Sequence, residues 1–454
     1  MRLRSNIAAL ILVAATTGLW AQTTVLSLEE CLSMGNASSA RLRSGEASVA
    51  ESEGRLAEAR FRAIPSISLS ASYARLSDIE AGTITATNPV TGDPVATVSL
   101  GEPILNSAAL RLSIQQPVFT GFRIRSATEQ AQALLYASLD DRDRVEQSVA
   151  AAIEDAYWSA TGAREASAAF AEYVEQARRH LKDAENMLEQ GLGTRNDVLK
   201  AKMRLSGAET RSMEAETALV AARMRLNLLI GLAWDAATDT RAISGSGAPG
   251  EPASDDRGVD GLLLDGLSRR PELAAARSRL SAGEAAIRAA RAALYPSVFL
   301  TGDVSLADPN QRFFPQVAEF NATWSVGVLV AMDVGGIPAA TAQAEQYSAR
   351  LRREQAALAS AADTVTQEIV SAYLSRERAR QQSLDAESYL ALAEDGMRTT
   401  RELYEAGVAL DSDAADAEAT LLAARLQLVN ARIAERKASA ALRYAVGDRS
   451  PGAE

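Results

Sequence analysis

Apolar positions change their period several times along this chain, and the changes come in the same order twice. Residues ~27–63 and ~262–293 have helical composition. Pro65 and Pro296 end these stretches, because a proline drives the residue before it out of the helical region. Alternation follows. In Ile67-Ser-Leu69-Ser-Ala71-Ser-Tyr73 one face is apolar and the other is serine. Leu110, Leu112 and Ile114 alternate with Arg111, Ser113 and Gln115. Val298-Phe-Leu300-Thr-Gly302-Asp-Val304-Ser-Leu306 and Ala322-Thr-Trp324-Ser-Val326-Gly-Val328 repeat the pattern, with Thr301, Asp303, Ser305, Thr323 and Ser325 on the polar side. Period-two alternation predicts strands with one apolar face, at ~66–75, ~109–119, ~297–306 and ~321–331. Proline-free helical stretches come next: Arg123 to Gln190, roughly 68 residues, and Thr341 to Ala406, roughly 66. At 1.5 Å per residue each is about 100 Å long. They break at Gly191 and Gly407, and shorter helices are expected at ~194–231 and ~408–446.

The two halves are one pattern written twice. Val149-Ala-Ala-Ala-Ile153-Glu-Asp-Ala-Tyr157 aligns with Val365-Thr-Gln-Glu-Ile369-Val-Ser-Ala-Tyr373, and Glu189-Gln-Gly191 aligns with Glu405-Ala-Gly407. Leu226-Asn-Leu-Leu-Ile-Gly231 aligns with Leu442-Arg-Tyr-Ala-Val-Gly447. All share one offset of 216 residues. A period this long indicates a duplicated domain rather than a short-repeat solenoid. The expected organisation is a signal peptide at 1–21, a first repeat at 22–234, a linker at 235–261, a second repeat at 262–447 and a tail at 448–454. The fold class expected is mixed, mostly α: a duplicated helix–β-hairpin–long-helix–helix unit.

The strands bear on location. They are 9–11 residues long, which suits a tilted membrane strand. Aromatic residues gather at their ends (Tyr73, Phe119, Phe122, Tyr295, Phe299, Phe320) as in an interfacial girdle. Four strands cannot close a barrel, and an open edge in lipid leaves backbone groups unpaired at several kcal/mol each. Several chains must therefore contribute. Two would give eight strands, a barrel just wide enough to be filled by side chains, so a conducting pore favours three.

Composition narrows the function. Alanine is abundant and aromatics are only 5%, which suits long, closely packed helices. Arg2 and Arg4 followed by the apolar run Ile7–Val13 read as an export signal, with Ala21 as the cleavage residue. Its loss takes the formal charge from −11 to −13 by removing two arginines, an acidic balance unsuited to nucleic acid. Cys31 is the only cysteine, so no disulfide forms within the chain. His180 is the only histidine and lies far from any nucleophile signature, so neither a histidine-rich metal site nor a Ser-His-Asp triad is expected, and no cofactor or catalytic residue is assigned.

The ordered series of signal, helix, Pro-initiated hairpin, Gln116-Pro-Val-Phe-Thr-Gly121, long helix, glycine-containing turn and shorter helix, all given twice, resembles the TolC-like outer-membrane efflux proteins over essentially the whole mature chain. The resemblance implies a homotrimer with a 12-stranded membrane β-barrel and a long periplasmic α-helical barrel. It further implies outer-membrane lipid as surroundings, a periplasmic adaptor (membrane fusion) protein and an inner-membrane transporter as partners, and a role as passive exit duct of a tripartite efflux pump or type I secretion system.

It also implies site residues. Gly191, Leu192, Gly193 and Thr194 resemble the family's adaptor-docking tip, and Gly407 and Val408 form a second version. Simple helix breaking by glycine explains the same residues. Asp413 and Asp416, three apart and so on one helix face, resemble the aspartates ringing the periplasmic entrance. Asp197 is the counterpart of Asp413 in the first repeat, where Lys200 replaces the second acid. An ordinary solvated helix face would look similar, and Asp411 competes for the gate role. The competing function is a structural or adhesive surface coiled coil with a β anchor, which predicts one continuous heptad register and no duplication.

Overall fold

The computed structural model describes residues 24–78, 82–99, 104–241, 258–314, 316–406 and 408–448. The expected signal peptide, residues 242–257 of the linker and 449–454 of the tail lie outside the described residues. The elements of the first half are β1 (Thr24–Leu26), α1 (Leu28–Ser38), α2 (Ala40–Phe61), β2 (Ser66–Arg75), β3 (Thr83–Thr87), β4 (Pro94–Ser99), β5 (Asn106–Thr120), α3 (Arg123–Glu189), α4 (Arg195–Leu229) and β6 (Thr238–Thr240). Those of the second are α5 (Val259–Arg269), α6 (Pro271–Arg291), β7 (Ser297–Asp308), β8 (Asn321–Ala331), α7 (Ile337–Glu405) and α8 (Asp411–Val446). The chain forms two compact units, one from 1–43, 144–270 and 364–454, the other from 44–143 and 271–363.

In the first unit the duplication is visible atom by atom. Ile153 of α3 and Ile369 of α7, 216 apart, are both fully buried. Each sits on a glycine: a Cβ at Gly35 of α1 would lie 2.2 Å from Ile153 Cδ1, and one at Gly266 of α5 would lie 2.3 Å from Ile369 Cδ1. Only glycine admits such close approach of the helices. Cys31 and Leu262 occupy matching buried positions beside these pairs, and burial pushes the Cys31 thiol up to about 12. The continuous helices expected at ~27–63 and ~262–293 are each broken once. Ser39 ends α1 with an extended backbone, and its side chain accepts from Leu42 N–H, capping α2. Arg270 likewise ends α5 with an extended backbone before Pro271, where the following ring forbids helical geometry, but supplies no side-chain cap to α6.

Within this unit α8 of the second repeat packs on α3 of the first. Ile433 covers Gly162, Lys437 Nζ donates to Ser159 Oγ at 2.6 Å, and Arg443 donates to the buried Glu154 at 2.6 Å. A buried cation, Arg270, donates to Glu368 and the Tyr444 carbonyl and stacks over the Tyr444 ring.

In the second unit four strands form one antiparallel sheet in the order β2-β5-β7-β8. Over the middle of the sheet the register sorts apolar from polar side chains. Leu69 pairs with Leu112, Leu112 with Val304 and Val304 with Trp324, one apolar row across the sheet. Ile67, Leu110, Leu306 and Val326 lie on the same face, and these apolar side chains stand exposed except the half-buried Leu112. The other face pairs Ser68 with Ser113, Ser113 with Asp303 and Asp303 with Ser325, and Ser113 Oγ donates to Asp303 at 2.6 Å. The long β2–β5 connection contains the antiparallel pair β3–β4.

Candidate functional site

The two turns that follow the long helices are built alike. At the first, Gly191 takes the left-handed conformation (φ 72°), which glycine adopts without Cβ strain. The Leu192 and Gly193 N–H groups then both donate to the Met187 carbonyl, at 2.9 and 3.1 Å, satisfying the C-terminal end of α3. At the second, Val408 and Ala409 N–H donate to the Leu403 carbonyl at 2.9 and 3.1 Å. Every partner is displaced by 216 residues. Gly407 itself lies outside the described residues. Both turns present apolar side chains to solvent: Leu192 is 77% exposed, Val408 72% and Leu410 68%.

The aspartates enter at the starts of the next helices. Asp197 is the third residue of α4, and its carboxylate accepts from the Thr194 N–H at 3.0 Å and the Thr194 hydroxyl at 2.6 Å. Thr194 Oγ1 accepts in return from Asp197 N–H at 3.3 Å, completing a reciprocal capping box. These hydrogen bonds to the charged form hold the Asp197 carboxyl below the usual carboxylate range. Asp413 stands in the same place on α8 and accepts from the Leu410 N–H at 3.0 Å, but leucine has no hydroxyl to return. Asp413 and Asp416 are exposed, while Ala414 and Glu418 are buried. At 100° per residue the exposed pair points away from the face by which α8 packs on its own chain. Asp411 opens α8, and its side chain lies outside the described residues.

Behind the turns, within the helical unit, is a groove of about 700 Å³ lined by residues of all four long elements, among them His180, Asp197, Arg401 and Glu418. Its walls are joined by His180 Nε2 and Glu418 Oε1 at 2.6 Å, a contact between positions 238 residues apart. The structure thus brings Asp197 and Glu418 to one groove and leaves Asp413 and Asp416 on another face. The sequence reading passed over Glu418, because only the fold places it opposite the single histidine.

The family model described as outer membrane efflux protein matches residues 32–232 and 262–448, the greater part of the chain, so the chain belongs to the outer membrane efflux protein family. It is accordingly an outer-membrane protein. Protein CyaE of Bordetella pertussis is 29% identical over 276 residues, covering 61% of this chain and 54% of that protein, so this chain spans about half the length of that relative. The toluene efflux pump outer membrane protein TtgC of Pseudomonas putida is 23% identical over 347 residues, covering 75% and 69%. Among solved structures, VceC of Vibrio cholerae superposes with a TM-score of 0.73 at 19% identity, covering 93% of this chain and 96% of that one. The Campylobacter jejuni CmeC outer membrane channel gives 0.74 at 16%, covering 94% and 87%. These likenesses establish the fold.

Proposed function

We propose that three copies of this chain assemble into a passive exit duct of a tripartite efflux pump or type I secretion system, with a 12-stranded barrel in the outer membrane and a helical barrel in the periplasm. The observation that carries this reading is the four-stranded sheet. It offers an apolar face to its surroundings, and among the described residues β2 and β8 end it with no further strand paired to their outer edges. In lipid such edges require a partner, and another copy supplies one without a seam. The helical unit supports the same arrangement. The face of α4 that corresponds, by the 216-residue offset, to the α3-packing side of α8 carries exposed Met203, Met213, Val220 and Leu228, and α7 carries exposed Leu374, Leu384 and Leu392. A neighbouring copy's α7 would cover α4 as α8 covers α3.

The turns at Gly191–Thr194 and Gly407–Val408 would form the periplasmic tips. Their exposed Leu192, Val408 and Leu410 suit docking of an adaptor protein, which links the duct to an inner-membrane transporter. Asp413 and Asp416 from three chains would ring the entrance with six carboxylates, favouring cations. Asp197, held in its cap, positions the first tip. Energy and substrate choice come from the inner membrane, so the relatives named for toluene and cation efflux suggest small molecules as cargo without fixing which. No catalytic step is assigned. Planar-bilayer recording tests the reading: small cation-preferring unit conductance is expected, and Asp413→Ala with Asp416→Ala should raise it and reduce its preference for cations. Unchanged conductance and selectivity in that double variant would remove the aspartates from the gate.

A further inference from the structure

Histidine is the one side chain whose ordinary titration falls between pH 5 and 8, and this chain has one. That histidine sits at a mechanically sensitive place. His180 of α3 belongs to the first repeat and Glu418 of α8 to the second, and their 2.6 Å contact closes the wall of the groove behind the tips. The Glu418 side chain is only 8% exposed and His180 is one-third exposed, so the bond is sheltered from water without being sealed from protons. The charged groups around it come from every wall: Arg179 and Asp183 from α3, Asp197 from α4, Arg401, Tyr404 and Glu405 from α7, and Glu418 from α8. Four carboxylates and two guanidiniums thus line the groove into which this pair faces.

The duplication supplies a control. The 216-residue offset places Gly396 where the second repeat would have the histidine and Lys202 where the first would have the glutamate. Neither can form this bond. In the proposed assembly the equivalent contact, between α7 and a neighbouring copy's α4, would therefore carry no group that titrates near neutrality.

We propose that His180 and Glu418 form a pH-responsive tie that holds α3 to α8 behind the tips, tightening the duct's entrance at mildly acidic pH and loosening it near pH 7.5. The proposal rests on the duct reading. Protonated, His180 donates to Glu418 as imidazolium to carboxylate; neutral, it makes an ordinary hydrogen bond. Charge-assisted bonds are roughly twice as strong as neutral ones, enough to shift an open-to-closed ratio about five-fold per chain.

The full-length protein in planar bilayers tests this at pH 5.5, 6.5 and 7.5, alongside His180→Gln and Glu418→Gln. The wild-type duct, with one tie in each of its three chains, should open at least about five-fold more readily at pH 7.5 than at 5.5, and His180→Gln should be flat across the range. A slope that persists in His180→Gln, or a conducting wild type with no slope, overturns the tie. A second readout does not depend on conduction. With ¹³C-labelled histidine the chain gives a single NMR titration, whose midpoint should fall in Glu418→Gln. An unchanged midpoint shows that the pair does not form in solution and also overturns the tie. Absence of conductance at every pH would count against the duct itself, and the histidine titration would still decide the tie.

Discussion

The two tips hold the same backbone pattern with unequal side chains. Met187, Leu192, Gly193 and Asp197 at the first correspond to Leu403, Val408, Ala409 and Asp413 at the second, bond for bond. Yet Thr194 closes the first cap in both directions, while Leu410 leaves the second half made. A duplicated fold can therefore keep its geometry through backbone hydrogen bonds and specialise through single side chains. The first tip is the more firmly fixed, and the second, which carries the Asp413 and Asp416 pair, has the less anchored helix start.

Five single substitutions and one double variant break or sharpen this comparison. The largest effect belongs to what the repeats share. Ile153→Ala and Ile369→Ala should each cost about 2–5 kcal/mol by opening a cavity beneath a helix crossing, and by similar amounts, read as a lowered denaturation midpoint in detergent. Next comes a feature only one contact has. Arg443→Met strands the buried carboxylate of Glu154 and should cost about 2–3 kcal/mol, somewhat less than a fully buried pair because Arg443 is partly exposed. Replacing both with their counterparts in the other repeat, Glu154→Val with Arg443→Asn, should recover most of that loss in the same melt.

The tip caps give smaller, opposite changes. Thr194→Ala should loosen the first turn of α4 by about 1 kcal/mol, and Leu410→Thr should steady the first turn of α8 by a similar amount, both read by hydrogen exchange of the amides near Asp197 and Asp413. The smallest effect is a pH dependence. Asp197 has its carboxyl held low by Thr194, so its contribution is present at neutral pH and fades as pH falls through that lowered value, below about pH 4. Thr194→Ala should reduce this local acid sensitivity of α4 without abolishing it, because the backbone N–H at 194 still donates to Asp197, seen in the same exchange measurement after correction for intrinsic rates.

How far the sequence speaks depends on the distance over which each feature is encoded. The alternation of Ile67, Leu69 and Tyr73 with serines, and its echo at Val304 and Trp324, marks an amphipathic sheet because register preserves period two across strands. The 216-residue offset is legible because turn glycines and buried isoleucines recur together. Local breaks are harder. Pro271 signals the end of α5, whereas nothing in Ser38-Ser39-Ala40 announces that Ser39 leaves one helix and caps the next. The β3–β4 pair hides in a segment whose glycines and prolines suggest irregular chain. Contacts such as His180 to Glu418 and Glu154 to Arg443 join residues more than 200 positions apart and belong to the fold, not to any motif.

The central claim is that this sheet closes only with other copies of itself. The mass of the detergent-purified protein, measured by light scattering with the detergent contribution subtracted, tests it most directly. The account predicts a single species of three chains, each 48.0 kDa before any signal is removed. A single chain that stays dispersed in detergent-free buffer would contradict it, since the apolar face running from Leu69 to Trp324 would then be stable in water.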